Sequence, residues 1–385
     1  MWRLPDALAR RFPLVARPRP ACLPLPQRVR ALAELADAAA QAGDPSMAST
    51  VYNQAALIAS DVGDPDTART MCHQHAAAYL HAAPLPAKAA IRALEPVVNL
   101  ARLQLRAGRH TDCCQSLLTL FDAVSTGSPT QVEGVAVPAD LTASADDRQE
   151  VSAWLWRILL ADGTRALTAA GRWTEALAHV EAHRGIGQRM LDGRQVAVLA
   201  ALTTGNTHGA NNLLATTAPG ESWENAATQC LSVLCRRAAG RAWRRPLQNL
   251  VSTYLQRPDS NDLTVFNTRL GLALLDLAAP PEDSAARLVV AKLHRRTIKT
   301  TDGYAARETL AHPLFTTLAT DREAQDCRAV LHACALGTGT LPNKLHYQLA
   351  KALRTSDHTI RTSVGPSTGS PPSTPPPPSY RIAGT

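Results

Sequence analysis

From about Gln27 onward, apolar residues recur at three- and four-residue spacing, the period that gathers them on one face of an α-helix. Gly, Pro and Asp break the runs, as they do at helix ends. In the second half this period predicts helices near 221–239, 241–256, 263–278, 283–298, 304–319, 321–336 and 342–354. Another is predicted over 147–170, where Val151, Trp154, Leu155, Ile158 and Leu159 make one apolar face and Trp156 and Leu160 a second. A helix apolar on two sides should lie between neighbours. One internal segment departs from the pattern. Residues 126–146 are rich in Ser, Thr, Gly, Pro and Asp, and their alternating stretch Gln131–Val137 predicts a small β-hairpin around Glu133-Gly134 inside a loop insertion.

Both ends differ from the body. Residues 1–26 carry six prolines, which deny a continuous helix and predict an extended Pro/Arg-rich arm. Residues 356–385 are dominated by Pro, Ser and Thr and end beyond a run of four prolines, the composition of a disordered tail with polyproline II character. Between them lie helical repeats at 27–125, the insertion at 126–146, and helices over 147–355 that become irregular and basic after 236.

The helix junctions are the most informative feature. Gly43-Asp44-Pro45 and Gly63-Asp64-Pro65 each combine a glycine that can end a helix left-handed, an Asp that can cap the next, and a Pro at its first position. Five junctions place a small residue five positions after the glycine: Gly43/Ala48, Gly63/Ala68, Gly108/Cys113, Gly171/Ala176 and Gly205/Ala210. The small side chain falls in the first turn of the second helix, where bulk would push it off the preceding one.

This pattern resembles the tetratricopeptide repeat, whose unit is two antiparallel helices with small residues at their crossing. The best unit is Leu35, Ala36, Ala39, Gly43, Ala48, Tyr52 and Ala55, and Ala170–Leu177 is similar to the family's central turn. Successive glycines are 20, 45, 63 and 34 residues apart, and only the last equals the family period. The resemblance is thus to a degenerate array over the first half. It implies an all-α, right-handed α-solenoid of antiparallel helical hairpins whose concave face receives a peptide or partner domain.

Composition agrees with tight helix packing: 68 of 385 residues are Ala and only 16 are aromatic. The basic residues are 35 Arg and 5 Lys, as in proteins of GC-rich, actinomycete-type genomes. The net charge of +8 is unevenly spread. Residues 1–30 hold seven Arg against one acid, 31–235 hold 13 bases against 20 acids, and 236–308 hold 13 bases against 7 acids. A nucleic-acid or acidic-partner surface should therefore lie on the N-terminal arm or the 236–308 segment. Eight dispersed cysteines predict buried thiols in a reducing cytoplasm, and no apolar run reaches membrane-spanning length.

Candidate chemistry is sparse. Cys72 and His75 share a helix face, as do His179 and His183, but neither pair has further ligands or a general-base Glu at metalloprotease spacing. Gly337–Lys344 lacks the glycine before its lysine and the following hydroxyl of a phosphate loop. Residues 349–361 resemble a short helix-turn-helix, with Thr355-Ser356-Asp357 at the turn. The other candidate, for contact with a partner or nucleic acid, is Arg236, Arg237, Arg241, Arg244 and Arg245 around Trp243, a cluster able to contact phosphates while the aromatic ring stacks. The expected function is that of a non-enzymatic interaction protein, scaffold or regulatory adaptor, with no cofactor and a protein or peptide as partner. The alternatives are a transcriptional regulator whose basic C-terminal half contacts DNA, and an enzyme with a site near Trp154, Trp156 and Trp173.

Overall fold

A computed structural model describes residues 4–17, 20–258, 263–278 and 284–365. Helix dominates. In chain order the helices are α1 (Asp6–Ala9), α2 (Leu25–Ala42), α3 (Pro45–Val62), α4 (Pro65–Leu80), α5 (Ala87–Arg106), α6 (His110–Thr126), α7 (Ala145–Ile158) and α8 (Thr164–Ala169). They continue as α9 (Trp173–Ala182), α10 (Asp192–Thr203), α11 (Thr207–Ala215), α12 (Ser222–Ala238), α13 (Arg244–Gln256) and α14 (Thr264–Ala278). The last are α15 (Ser284–Thr300), α16 (Gly303–Leu310), α17 (Pro313–Leu318), α18 (Asp321–Ala333) and α19 (Asn343–Val364). A wide π-helical turn, Leu159–Gly163, joins α7 to α8 without a break.

The five glycine junctions adopt one geometry. Gly43, Gly63, Gly108, Gly171 and Gly205 are all left-handed, with φ of 61°, 95°, 76°, 74° and 80°. The residue after each glycine donates its N–H to the carbonyl five positions back: Asp44 to Ala39, Asp64 to Ala59, Arg109 to Gln104, Arg172 to Leu167 and Asn206 to Ala201, at 2.8–3.0 Å. Its own carbonyl accepts from the small residue, Ala48, Ala68, Cys113, Ala176 or Ala210, at 2.9–3.2 Å. One peptide unit thus closes one helix and opens the next. All five small residues are completely buried.

Residues 130–132 and 135–137 form an antiparallel hairpin, β1 (Thr130–Val132) and β2 (Val135–Val137), with Val132 opposite Val135. Glu133 and Gly134 both have positive φ, 49° and 84°, as a two-residue turn of this hand requires. The hairpin is pinned to the body through that turn. The Glu133 carboxylate accepts from Arg69, and from Gln104 at 2.6 Å, while His73 Nε2 donates to the Glu133 carbonyl at 2.9 Å.

Among the described residues two large apolar cores form, and the first and last helices each pack into the core farther from them in sequence. Leu4, Leu8, Phe12 and Leu14 are buried with residues of α9–α15, whereas Leu349, Leu353 and Ile360 of α19 are buried with residues of α2–α8. Within the arm predicted over 1–26 one short helix forms, α1, and α2 starts at Leu25, two residues early, with Pro26 in its first turn, where its missing N–H costs nothing. Gln195, itself fully buried, holds the arm by accepting from the Leu14 N–H at 2.7 Å and donating to the Leu14 carbonyl at 2.8 Å. Arg11 pairs with Asp276, which also accepts from His312 Nε2 at 3.0 Å. Burial resists charge on Asp276, but these two donors outweigh it and hold its carboxyl below the usual range.

The C-terminal expectations change in three places. A tail beginning at 356 is ruled out up to Val364, because the stripe Leu349, Ala352, Leu353, Ser356, Thr359 and Ile360 keeps helical spacing and is buried as α19 packs on α2, α3 and α4. Residues 366–385 lie outside the described residues. The helix-turn-helix resemblance fails for the same reason: α19 runs unbroken through Thr355, Ser356 and Asp357, and Ser356 is fully buried. The helix predicted at 304–319 is two, α16 and α17, because His312 Nδ1 caps the Leu314 N–H at 3.2 Å and Pro313 starts a new helix.

Where the end of the chain meets its beginning, a buried polar group forms. Asp61 at the end of α3 accepts from Arg28 at 2.8 Å, Arg106 at 2.9 Å and the Tyr304 hydroxyl at 2.5 Å. Burial opposes the charge on Arg28, yet the Asp61 carboxylate overrides it and raises the guanidinium above the ordinary arginine range. The Gly337 and Gly339 N–H groups donate to the Asp61 and Val62 carbonyls at 2.8 and 2.6 Å. That satisfies the exposed C-terminal carbonyls of α3 and uses the N–H groups a phosphate loop would need free.

Candidate functional site

The arginine cluster is assembled by a turn of the same kind as the five above. Gly240 is left-handed at φ 66°, and the Arg241 N–H donates to the Arg236 carbonyl at 2.9 Å, which ends α12. The chain then passes Trp243 and re-enters helix as α13. Here the position five after the glycine is Arg245 instead of a small residue, and the connection is two residues longer before the next helix begins.

Trp243 is half-buried and carries Arg237 4.4 Å and Arg244 5.7 Å from its ring centroid. Both guanidinium groups lie within cation–π range. Arg237 also donates to the Leu277 carbonyl near the end of α14 at 3.1 Å. Burial and the neighbouring Arg244 charge both lower its affinity for the proton relative to an ordinary arginine. Arg236, Arg241, Arg244 and Arg245 are exposed, and among the described residues none of the four makes an ion pair. The structure therefore gives four of the arginines two roles, and leaves Arg245 exposed with neither. Arg237 and Arg244 pack the indole, while Arg236 and Arg241 turn toward α11.

There they border a shallow pocket of about 90 Å³, lined also by Thr207, His208 and Asn211. The pocket sits over the first turn of α11, capped by Asn206, whose side chain accepts from the Gly209 N–H at 2.8 Å. A helix N-terminus presents partial positive charge, and two unneutralised guanidinium groups add to it. Among the described residues no carboxylate lines the pocket. Cys235 at its floor gives its S–H to the Thr207 carbonyl at 3.6 Å, and burial pushes that thiol up despite the nearby Arg241 and Arg236 charges. An anionic group of carboxylate or phosphate size fits this chemistry. Thr207, His208 and Asn211 lie outside the cluster read from sequence. Their signal was the Gly205-Asn206 helix start, but its position beside the arginines follows only from the packing of α11 on α12.

Neither a protein-family model, nor a curated protein, nor a solved structure matches the chain.

The remaining candidates resolve into packing. His75 is buried, stacks on Tyr52 with centroids 4.9 Å apart, and is lowered to about 3 by burial. His179 donates to the Leu159 carbonyl of the π-helical turn at 3.1 Å and meets the His183 ring edge-on. Among the described residues no three His, Cys, Asp or Glu side chains are placed to hold a metal ion. Trp173 is core, Trp154 is half-buried, and Trp156 donates its Nε1–H to the His183 carbonyl at 3.1 Å. A larger surface groove of about 320 Å³ between α6 and α9 includes Cys114 and Arg172, but Arg172 is already paired with Glu175. No helix among the described residues is long and apolar enough to cross a membrane.

Proposed function

We propose that this protein is a non-enzymatic interaction protein, a right-handed helical array of tetratricopeptide-like hairpins that takes up an acidic segment of a partner protein. The reading rests on one observation: Arg236 and Arg241, exposed and outside any ion pair among the described residues, border a pocket over the N-terminal turn of α11. A Glu, Asp or phosphorylated side chain entering that pocket would meet two guanidinium donors and the positive end of a helix. The repeated glycine junctions support the array, since five turns with one hydrogen-bond pattern are what stacked hairpins need. An acidic protein is favoured over single-stranded nucleic acid because Trp243 already carries Arg237 and Arg244 where a base would stack.

Fluorescence anisotropy with Glu/Asp-rich peptides and with DNA of matched charge tests this. The peptides are expected to bind in a salt-sensitive way. Binding should fall about tenfold or more in R236A/R241A, equivalent to roughly 1.4 kcal/mol, and stay unchanged in R322A. Tighter binding of the DNA, or equal peptide binding by R236A/R241A, overturns the reading.

A further inference from the structure

Cys22 of the arm and Cys334, just after α18, meet beside Gly303, and both are completely buried. The Gly303 N–H donates to the Cys22 carbonyl at 2.8 Å. A Cβ on Gly303 would stand 3.0 Å from Cys334 Sγ and 3.2 Å from Cys22 Sγ, so two sulfurs flank one residue that has no side chain. Cys334 Sγ lies 2.9 Å from the Cys22 carbonyl oxygen, across 312 positions of sequence. A cation completes the group: Arg28 Nη1 donates to Cys22 Sγ at 3.4 Å.

The pair is chemically unlike the other buried cysteines. Cys72, Cys113, Cys230 and Cys327 are each pushed up to about 12, with burial the main cause, which leaves them inert thiols. The closeness of the two side chains pulls the Cys334 thiol down and pushes Cys22 up, while burial pushes both up. Cys334 is therefore the first of the two to become a thiolate, with the Arg28 charge nearby to favour it.

From this juxtaposition we infer that Cys22 and Cys334 are a redox-active pair that a peroxide converts to a disulfide, fastening the N-terminal arm covalently to the end of α18. The Cys334 thiolate attacks one oxygen of hydrogen peroxide. The O–O bond breaks, an S–OH group forms, and hydroxide leaves to take up a proton as water. The Cys22 sulfur then attacks the Cys334 sulfur and displaces the hydroxyl, which leaves as a second water with the Cys22 proton. Two thiols lose two electrons and two hydrogens, and the peroxide is reduced to two waters. A dithiol reverses the step by exchange. Covering the site is the extended arm itself, with Pro20 exposed and Ala21 half-buried.

The test uses the intact protein: brief treatment with a small excess of hydrogen peroxide, then N-ethylmaleimide in urea and peptide mass mapping. Alkylatable thiols should fall from eight to six. The lost pair should appear as one crosslinked Cys22–Cys334 peptide lighter by two hydrogens, and dithiothreitol should restore all eight. In C22S the sulfenic acid on Cys334 has no partner and should be trapped by dimedone. Recovery of both Cys22 and Cys334 as alkylated thiols while the half-exposed Cys114 is oxidised overturns the inference. So does a crosslink that forms only when urea precedes the peroxide. The wild-type map decides the matter even where C22S fails to fold.

Discussion

The Tyr304 hydroxyl donates to the Asp61 carboxylate at 2.5 Å, joining the start of α16 to the end of α3 across 243 positions of sequence. Arg28 and Arg106 reach the same carboxylate. Removing the acid leaves Arg28, whose side chain is 9% exposed, without its counter-charge. Asp61→Ala should cost about 3–5 kcal/mol, and Tyr304→Phe, which deletes one hydrogen bond, about 1–2 kcal/mol. Urea denaturation of the two variants gives the comparison, and equal losses would contradict the central place of Asp61.

The glycine junctions separate two kinds of cost. At Gly43 a Cβ would meet nothing within 4 Å, so Gly43→Ala carries only the left-handed backbone penalty, about 1–2 kcal/mol. Ala48 is completely buried against the preceding helix. Ala48→Leu should lose about 1–3 kcal/mol by overpacking, as should Ala210→Leu at the last of the five turns. Thermal melts of these variants read both effects.

Acid should weaken the fold through His75. Its folded-state value is about 3, against about 6.5 for the unfolded chain. Between those values the unfolded state binds the extra proton, so the contribution is fully present above about pH 6.5 and is lost as pH falls, by up to about 1.4 kcal/mol per unit. Burial lowers His179 as well, and it acts with the same sign. Urea midpoints near pH 5 and about pH 7.5 should differ clearly in wild type and much less in His75→Phe, which keeps a ring against Tyr52 but cannot be protonated.

Helix α19 should behave as core. Leu349 and Ile360 are 1% and 0% exposed, whereas Tyr347 on the same helix is 66% exposed. Leu349→Ala and Ile360→Ala are each expected to lose about 2–5 kcal/mol, and Tyr347→Ala less than about 0.5 kcal/mol. Denaturant titration of the three variants checks this. Indifference to Ile360→Ala would mean that the helix does not belong to the core of α2–α8.

Much of the helical layout was legible because it is local. A glycine followed by a capping residue and a small residue reports on one turn and needs no knowledge of the rest of the chain. The Glu133-Gly134 hairpin was legible for the same reason, with its two residues of positive φ. What sequence could not carry was pairing at a distance. The Ser/Thr/Pro composition after 356 masked the apolar stripe that ends at Ile360, because the surface it packs on belongs to α2 and α3. The arginine cluster was visible as a run of charge, but its pocket depends on Thr207 and His208, from a helix some thirty residues earlier. Cys22 and Cys334 stood in the sequence as two of eight dispersed thiols, and only the seam beside Gly303 makes them neighbours.

The exchange of ends also sets an order of events during synthesis. The face of α2 and α3 that receives α19 has no cover until residues 343–364 have been made. At 5–20 residues per second the ribosome needs roughly 15–60 s to travel from α3 to the end of α19. Throughout that interval the nascent N-terminal half presents an uncovered apolar strip, the kind of surface that chaperones hold. Its folding waits on α19.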